Sequence, residues 1–402
     1  LEFRRVLFRS TGRPAAPDRY RVKATVEGLA VAPGPAPSPA TDAVGRPGWR
    51  GVKLVLDADE GGGHAQVQLR DGALWLPGVF AEPQLPFNEL KGQALWTVTR
   101  PRDAAAPPRI ELRLQDLRFA NEDVRGELQL RWQTGAGDGG QPGRGQRFPG
   151  RLELAGQLTQ ARATAVARYL PLGVAASARD YVASAVRDGV VPKASFRVRG
   201  DLWDFPFARV PAAQGEFHVT AQVERATLDY VPASLAGPGQ VWPAFQDVSG
   251  ELVFDRGSMS IRHARAKALG FALQEVNGRI DDLIDRPSLH IEGQGRGPVT
   301  EALRFVAQSP VAGWTRQALG QASGTGSADL RLRLDIPLDN ADATKVQGSV
   351  VLPGNDVRLR PEVPVLRQAK ARIEFSEQGF RIAGARAQAL GGEVQVDAAS
   401  EP

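Results

Sequence analysis

Strict two-residue alternation is the feature that most limits what this chain can fold into. Leu330-Arg-Leu332-Arg-Leu334-Asp-Ile336 places an apolar side chain at every second position. Ile110-Glu-Leu112-Arg-Leu114, Leu128-Gln-Leu130-Arg-Trp132 and Phe196-Arg-Val198-Arg199 do the same. Successive side chains of a strand point to opposite faces, so each segment is apolar on one side and wet on the other. That pattern belongs to antiparallel sheets with one solvated face, not to βαβ units, whose strands are buried on both sides. Gly-containing turns are expected between the segments, as at Asp71-Gly72, Arg256-Gly257 and Gln378-Gly379. With 44 Gly and 30 Pro in 402 residues, the chain reads as a long, turn-rich meander.

Two places break the period. Arg162 to Tyr169 and Ala175 to Arg187 have helical spacing, with Pro171 ending the first piece, and Val299 to Ala307 and Val311 to Leu319 form a second such pair. Val31 to Ala40 and Gly135 to Gly145 read as exposed low-complexity loops. The helix pairs mark an internal repeat. Arg168-Tyr169 corresponds to Arg304-Phe305, Gly215-Glu-Phe217 to Gly348-Ser-Val350, and Ala264-Arg-Ala-Lys-Ala-Leu-Gly270 to Ala385-Arg-Ala-Gln-Ala-Leu-Gly391. The last two matches lie 133 and 121 residues apart, the difference falling around Pro232 to Pro243. The expected organisation is therefore a first β-meander over 11–160, one repeat over 161–297 and a second over 298–402. Residues 1–10 (LEFRRVLFRS) are abrupt and uncapped, resemble a translated adapter tag, and are expected to take no part in the fold. With no initiating Met and a last strand-like run close to Pro402, the chain reads as a fragment cut at both ends.

The chemistry of ordinary active sites is missing. Zero Cys excludes disulfides, thiolate metal sites and cysteine nucleophiles. The four His, at 64, 218, 263 and 290, have no paired spacing and read as strand residues. Gly61-Gly-Gly-His64 and Gly293-Gln-Gly295-Arg-Gly297 lack the Lys-Ser/Thr of a phosphate loop and read as hairpin turns. Asp281, Asp282 and Asp285 lack the spacing of a calcium loop and read as a solvated turn. The net charge is +5, and the first ten residues account for two of those charges. The basic residues are not clustered, so no nucleic-acid partner is expected. No apolar run is long enough to cross a membrane. No catalytic residue, metal or cofactor is expected, and the chain reads as non-enzymatic.

A long sheet with one apolar face must hide that face against a second sheet, by closing into a barrel, or by curling into a trough. Aromatic residues are only 7% of the chain. That fits a thin-walled curled sheet whose inner face stays accessible to hydrocarbon chains, and it also fits a modest dry core. The expected fold class is mainly β: an elongated, curled antiparallel sheet forming a repeating groove, interrupted by two short helix pairs. Phe217, Val219, Leu252, Phe254, Leu330, Leu332, Leu334, Ile373 and Phe375 are the candidate lining residues. A dry core would place the same residues inward.

Several short motifs, in order, carry a family resemblance. They are Trp75-Leu-Pro-Gly-Val-Phe80 with Glu82-Pro83, Leu90-Lys-Gly92, Trp96, Phe119-Ala-Asn121-Glu-Asp123 and Arg168-Tyr-Leu-Pro171. Gly200-Asp-Leu-Trp-Asp-Phe-Pro-Phe207, Tyr230 and Trp242-Pro243 continue the series. Together they resemble the middle region of YhdP-type proteins of the AsmA-like group, from about Tyr20 to the end. The resemblance implies a periplasmic β-groove, anchored in the inner membrane through a segment this chain lacks, that moves phospholipid between inner and outer membrane. Its implied partners are phospholipid acyl chains, the two membranes through the missing terminal regions, and envelope proteins. It transfers no catalytic residue. The alternative is a scaffold that receives client polypeptide strands at a sheet edge or in the trough.

Overall fold

The computed structural model describes residues 2–13, 16–34, 45–103, 106–137, 143–315 and 317–400. The chain packs as two compact units: Leu1–Asp180 with Val191–Ala221, and Tyr181–Val190 with Gln222–Pro402. Among the described residues there are twenty strands, belonging to one antiparallel sheet that does not close.

The first unit opens with β1 (Glu2–Arg13), β2 (Ala16–Val31), β3 (Gly48–Asp59) and β4 (Gly62–Trp75). It continues with β5 (Gln84–Thr99), β6 (Arg109–Ala120), β7 (Val124–Gln133) and β8 (Arg151–Arg162). Each pairs antiparallel with its predecessor. A 3₁₀ segment, Ala163–Tyr169, and helix α1 (Ala176–Ala185) precede β9 (Val186–Asp201) and β10 (Gly215–Leu228). The second unit runs through β11 (Phe245–Asp255), β12 (Ser258–Ala268), β13 (Phe271–Ile280) and β14 (Ser288–Pro298) to helices α2 (Val299–Gln308) and α3 (Val311–Trp314). The short β15 (Ser323–Gly324) follows, then β16 (Ser327–Pro337), β17 (Lys345–Arg358), β18 (Leu366–Ser376), β19 (Gly379–Ala389) and β20 (Gly392–Ala399). No helix among the described residues is long and apolar enough to cross a membrane.

Several expectations are corrected. The N-terminal segment read as a tag forms β1, paired with β2 from Ala16 to Glu27, and Val6, Leu7 and Phe8 are exposed. Its backbone donors and acceptors find partners on β2 whatever the side chains are. Asp71-Gly72 is no turn but a kink inside β4, where Asp71 adopts φ 47. Gly293, Gly295 and Gly297 lie within β14, because the polar residues between them keep the two-residue period. The first helical piece is 3₁₀, and α1 stops at Ala185, where Val186 enters the sheet. Helix α3 is a single turn, with Gln317 beyond it at φ 59. Residues 35–40 of one expected loop and 138–142 of the other lie outside the described residues. The flanks of the second are tied down, since the Gly145 N–H donates to Asp201 at 2.8 Å and Arg144 pairs with Asp204 at 2.7 Å.

The repeat extends to the irregularities of the ladder. Between β11 and β12 the register steps after Gln246↔Lys267 and again after Ser249↔Arg265. Between β18 and β19 it steps after Arg367↔Gln388 and Lys370↔Arg386, each residue 121 positions later. The two-residue turns Leu269-Gly270 and Leu390-Gly391 both take positive φ at both positions, the geometry that matches strand twist. A register step also lies upstream, where β5 and β6 step after Lys91↔Arg118. The extra residue at each bulge is left-handed at Asp116 (φ 49), His263 (φ 49) and Gly384 (φ 62), and all three are exposed on the polar side. A bulge bends its strand and increases the local twist.

Left-handed backbone costs a non-Gly residue about 1 kcal/mol. His263→Gly, which copies the residue at 384, should therefore raise stability by roughly 0.5–1 kcal/mol in urea unfolding. A loss of similar size would show that His263 is held by something other than backbone conformation.

Candidate functional site

Residues directly opposite in an antiparallel ladder share a face. In the second unit one row runs Phe254, Met259, Ile280, Leu289, Ile336, and the next runs Leu252, Ile261, Gly278, Ile291, Leu334, Val346. A third runs Gly293, Leu332, Gly348, Phe375, Phe380. The fourth runs Gly295, Leu330, Val350, Ile373, Ile382, Ala398. Seven of the nine candidate residues, Leu252, Phe254, Leu330, Leu332, Leu334, Ile373 and Phe375, thus lie on one continuous apolar face, each half-buried.

The first unit has an equivalent face. Ala24, Leu56, Ala65, Ala94, Leu114, Leu130 and Leu154 form one row. Ala58, Gly63, Trp96, Leu112, Trp132 and Leu152 form the next. The two remaining candidates, Phe217 and Val219, belong to this unit. Phe217 is half-buried, its ring 5.1 Å from that of Phe205, against a cluster around the fully buried Phe207. Val219, two residues on, is half-buried.

Packing on this face runs within the sheet. A Cβ on Gly63 would meet the Trp96 ring at 2.7 Å, one on Gly295 the Phe271 ring at 2.6 Å, and one on Gly293 the Val276 side chain at 2.9 Å. A Cβ on Gly348 would run into the Phe375 ring. Each large side chain lies flat over a glycine of the neighbouring strand, the arrangement by which an aromatic covers backbone in the absence of a second layer. The accessible surface is 24,921 Å². A compact monomer of this mass would expose about 15,000 Å².

The opposite face is polar. Asp57 pairs with Arg21 at 3.1 Å and Lys23 at 2.8 Å, and the Arg21 hydrogen bond, helped by Lys23, holds its carboxyl down at about 2. Glu111 accepts from Arg113 and Arg131, and both lower its carboxyl as well. Such exposed pairs add little stability, but they keep this face wet. A depression of about 850 Å³ also lies here, between Glu275, Glu292, Arg331, Arg333, Arg372 and Glu374. Its three Arg and three Glu are all solvent-exposed, and Gly293, Leu332, Gly348 and Phe375 of the third row also line it. His290 pairs with Asp335 at 2.5 Å across β14 and β16 on the same side. Asp282 accepts from the Ile284 and Asp285 amides, so the aspartates near 281–285 form a turn. Among the described residues no group of three His, Asp or Glu could hold a metal ion.

The family-like motifs converge in the first unit. The Tyr169 hydroxyl accepts from Asn121 at 2.9 Å and donates to Asp123 at 3.2 Å, and burial pushes its phenol up. Arg168 pairs with Asp123 at 2.5 Å and Glu82 at 3.2 Å. Pro171 pairs with Phe80, and the Leu172 amide donates to Val79 at 2.8 Å. Three separate stretches of sequence therefore meet as one fastening, a role that spacing alone does not reveal.

An open antiparallel sheet, apolar and single-layered on one side and charged on the other, defines a groove-type β protein. The family model described as YhdP protein matches residues 4–402, and the chain belongs to that family. No curated protein and no solved structure matches it.

The glycine beds make a sharp prediction. Gly348→Ala should cost about 1–3 kcal/mol in urea unfolding, the range for overpacking. Gly392→Ala, with open space around its Cβ position, should cost less than about 1 kcal/mol. Adding Phe375→Ala to Gly348→Ala should recover part of the loss, and additive effects would contradict the contact.

Proposed function

We propose that this chain is a non-enzymatic segment of a periplasmic bridge that carries phospholipid between the inner and outer membranes along its apolar face. The observation that supports this most is the continuous row structure of β11–β20, where large side chains stand half-buried with no second sheet over them. Monomeric soluble proteins rarely leave contiguous apolar patches of more than a few hundred Å² uncovered, and larger ones mark binding surfaces. Membership of the YhdP family supports a lipid-transport-related role in the envelope.

The energetics suit a conduit. Each methylene withdrawn from water contributes about 0.8 kcal/mol. A fifteen-carbon chain half covered by the face would be held by roughly 6 kcal/mol, without any motif reading it. Equivalent rows repeat along the sheet, so one position is replaced by the next at little cost. The head group stays in water at the strand ends, and no bond needs to break. The role requires attachment to the inner membrane.

Native mass spectrometry of the purified chain after exposure to phosphatidylethanolamine and phosphatidylglycerol vesicles tests this. Bound phospholipid is expected, reduced at least tenfold in Leu332→Asp and in Phe254→Asp, with the urea midpoint confirming that each variant folds. A wild-type chain that stays lipid-free, or folded variants that bind as well as wild type, would contradict the reading. Polypeptide found bound in place of lipid would favour a strand-binding scaffold.

A further inference from the structure

Resting on the lipid reading above, we infer that residues 163–172 form a movable strap over the apolar face of the first unit, which an acyl chain lifts to reach the cluster beneath. Most of this face is half-buried, but under the strap Val52, Leu69, Leu85 and Phe87 fall to 3–8% exposure. Tyr169 is the strap residue that packs on this cluster. Val166 and Leu172, at 37% and 42% exposure, face solvent instead. On this cluster the strap's apolar contact is the Tyr169 ring, with Ala163 buried at its start, and the rest of the side-chain attachment is polar.

That attachment is the fastening of Arg168 and Tyr169 to Asp123, Asn121 and Glu82, with one backbone hydrogen bond to Val79. The strap itself is 3₁₀, whose hydrogen bonds are poorer than those of an α-helix, and its first residue has no side-chain cap. A segment held by few apolar contacts and solvent-reachable polar ones belongs to the low-stability end of a structure. It is built to open without disturbing the sheet.

The closed position also carries a defect. The indole Nε1–H of Trp49, in the same cluster, is buried with no acceptor. A buried donor left unpaired costs about 1–3 kcal/mol. A ligand shifts a conformational equilibrium only through what it contacts differently in the two states. A diacyl lipid supplies both differences here, since its hydrocarbon replaces the Tyr169 ring and an ester oxygen accepts from Trp49. Water alone satisfies the indole but leaves the cluster wet, so the strap closes again when no lipid is present.

The chain has no Cys, so Val79→Cys with Leu172→Cys creates a single possible disulfide that locks the strap. A photo-crosslinking benzoylphenylalanine goes at Phe119, which packs against the covered cluster, or at Phe375 in the second unit. Both are exposed to phosphatidylethanolamine and phosphatidylglycerol vesicles. With the pair reduced, lipid should crosslink at both positions. Oxidation should lower the yield at Phe119 at least tenfold and leave Phe375 unchanged. Equal yield at Phe119 in both redox states overturns the strap. Lipid at Phe375 but never at Phe119 overturns it while leaving the lipid reading intact, and lipid at neither overturns both. In the chain without the engineered pair, Arg168→Gln should raise the crosslinking rate at Phe119 several-fold. An unchanged rate would remove the fastening from the account.

Discussion

The contact on which this structure depends is a large apolar side chain laid flat on a glycine of the next strand. A sheet with a second layer buries its side chains upright between the layers, and glycine there only weakens the strand. Along the apolar rows of this sheet there is no opposing layer, so apolar surface must be covered sideways. Phe375 over Gly348, Trp96 beside Gly63 and Phe271 over Gly295 and Gly297 achieve that within the sheet. Phe375 and Trp96 stay half-buried in this arrangement, while Phe271 is covered. A wall built this way is stable enough to persist and remains half-open to hydrocarbon along its length.

Curvature follows from a second repeated device. The left-handed residues Asp116, His263 and Gly384 each put one extra residue into a strand at equivalent points of the ladder, always on the polar side. The charged mosaic around Asp57, Glu111 and Arg331 keeps the polar face in water. Stability and function are then separated by face. The polar pairs keep the sheet soluble, and the apolar rows are left to a ligand.

Alternation made much of this legible. Leu330, Leu332 and Leu334 fall on one face because the strand period is two, and no tertiary contact overrides it. Both helix pairs and the 121-residue offset were visible because Ala264–Gly270 and Ala385–Gly391 are nearly identical. The bulges were invisible, since they are steps in the register and not a string of residues. Glycines misled in two places: Asp71-Gly72 and Gly293–Gly297 look like turns, yet they are a kink and a bed for facing side chains. The contact of Phe217 with Phe205 was not legible, since it depends on how the turn carrying Phe205 and Phe207 folds back. The strap was readable only as a helical break, because its partners Glu82, Asn121 and Asp123 lie far from it along the chain, the nearest 45 residues away.

The central claim is that one face of this sheet, and not the other, takes up hydrocarbon. A chain without Cys accepts a single nitroxide label wherever one cysteine is introduced. Leu332→Cys and Arg333→Cys, made separately, place that label at neighbouring positions on opposite faces of β16. Electron paramagnetic resonance in the presence of phospholipid vesicles should show the label at 332 moving into an apolar, oxygen-accessible environment, while the label at 333 stays in water. Identical spectra at the two positions, or a response at 333 alone, would contradict the account.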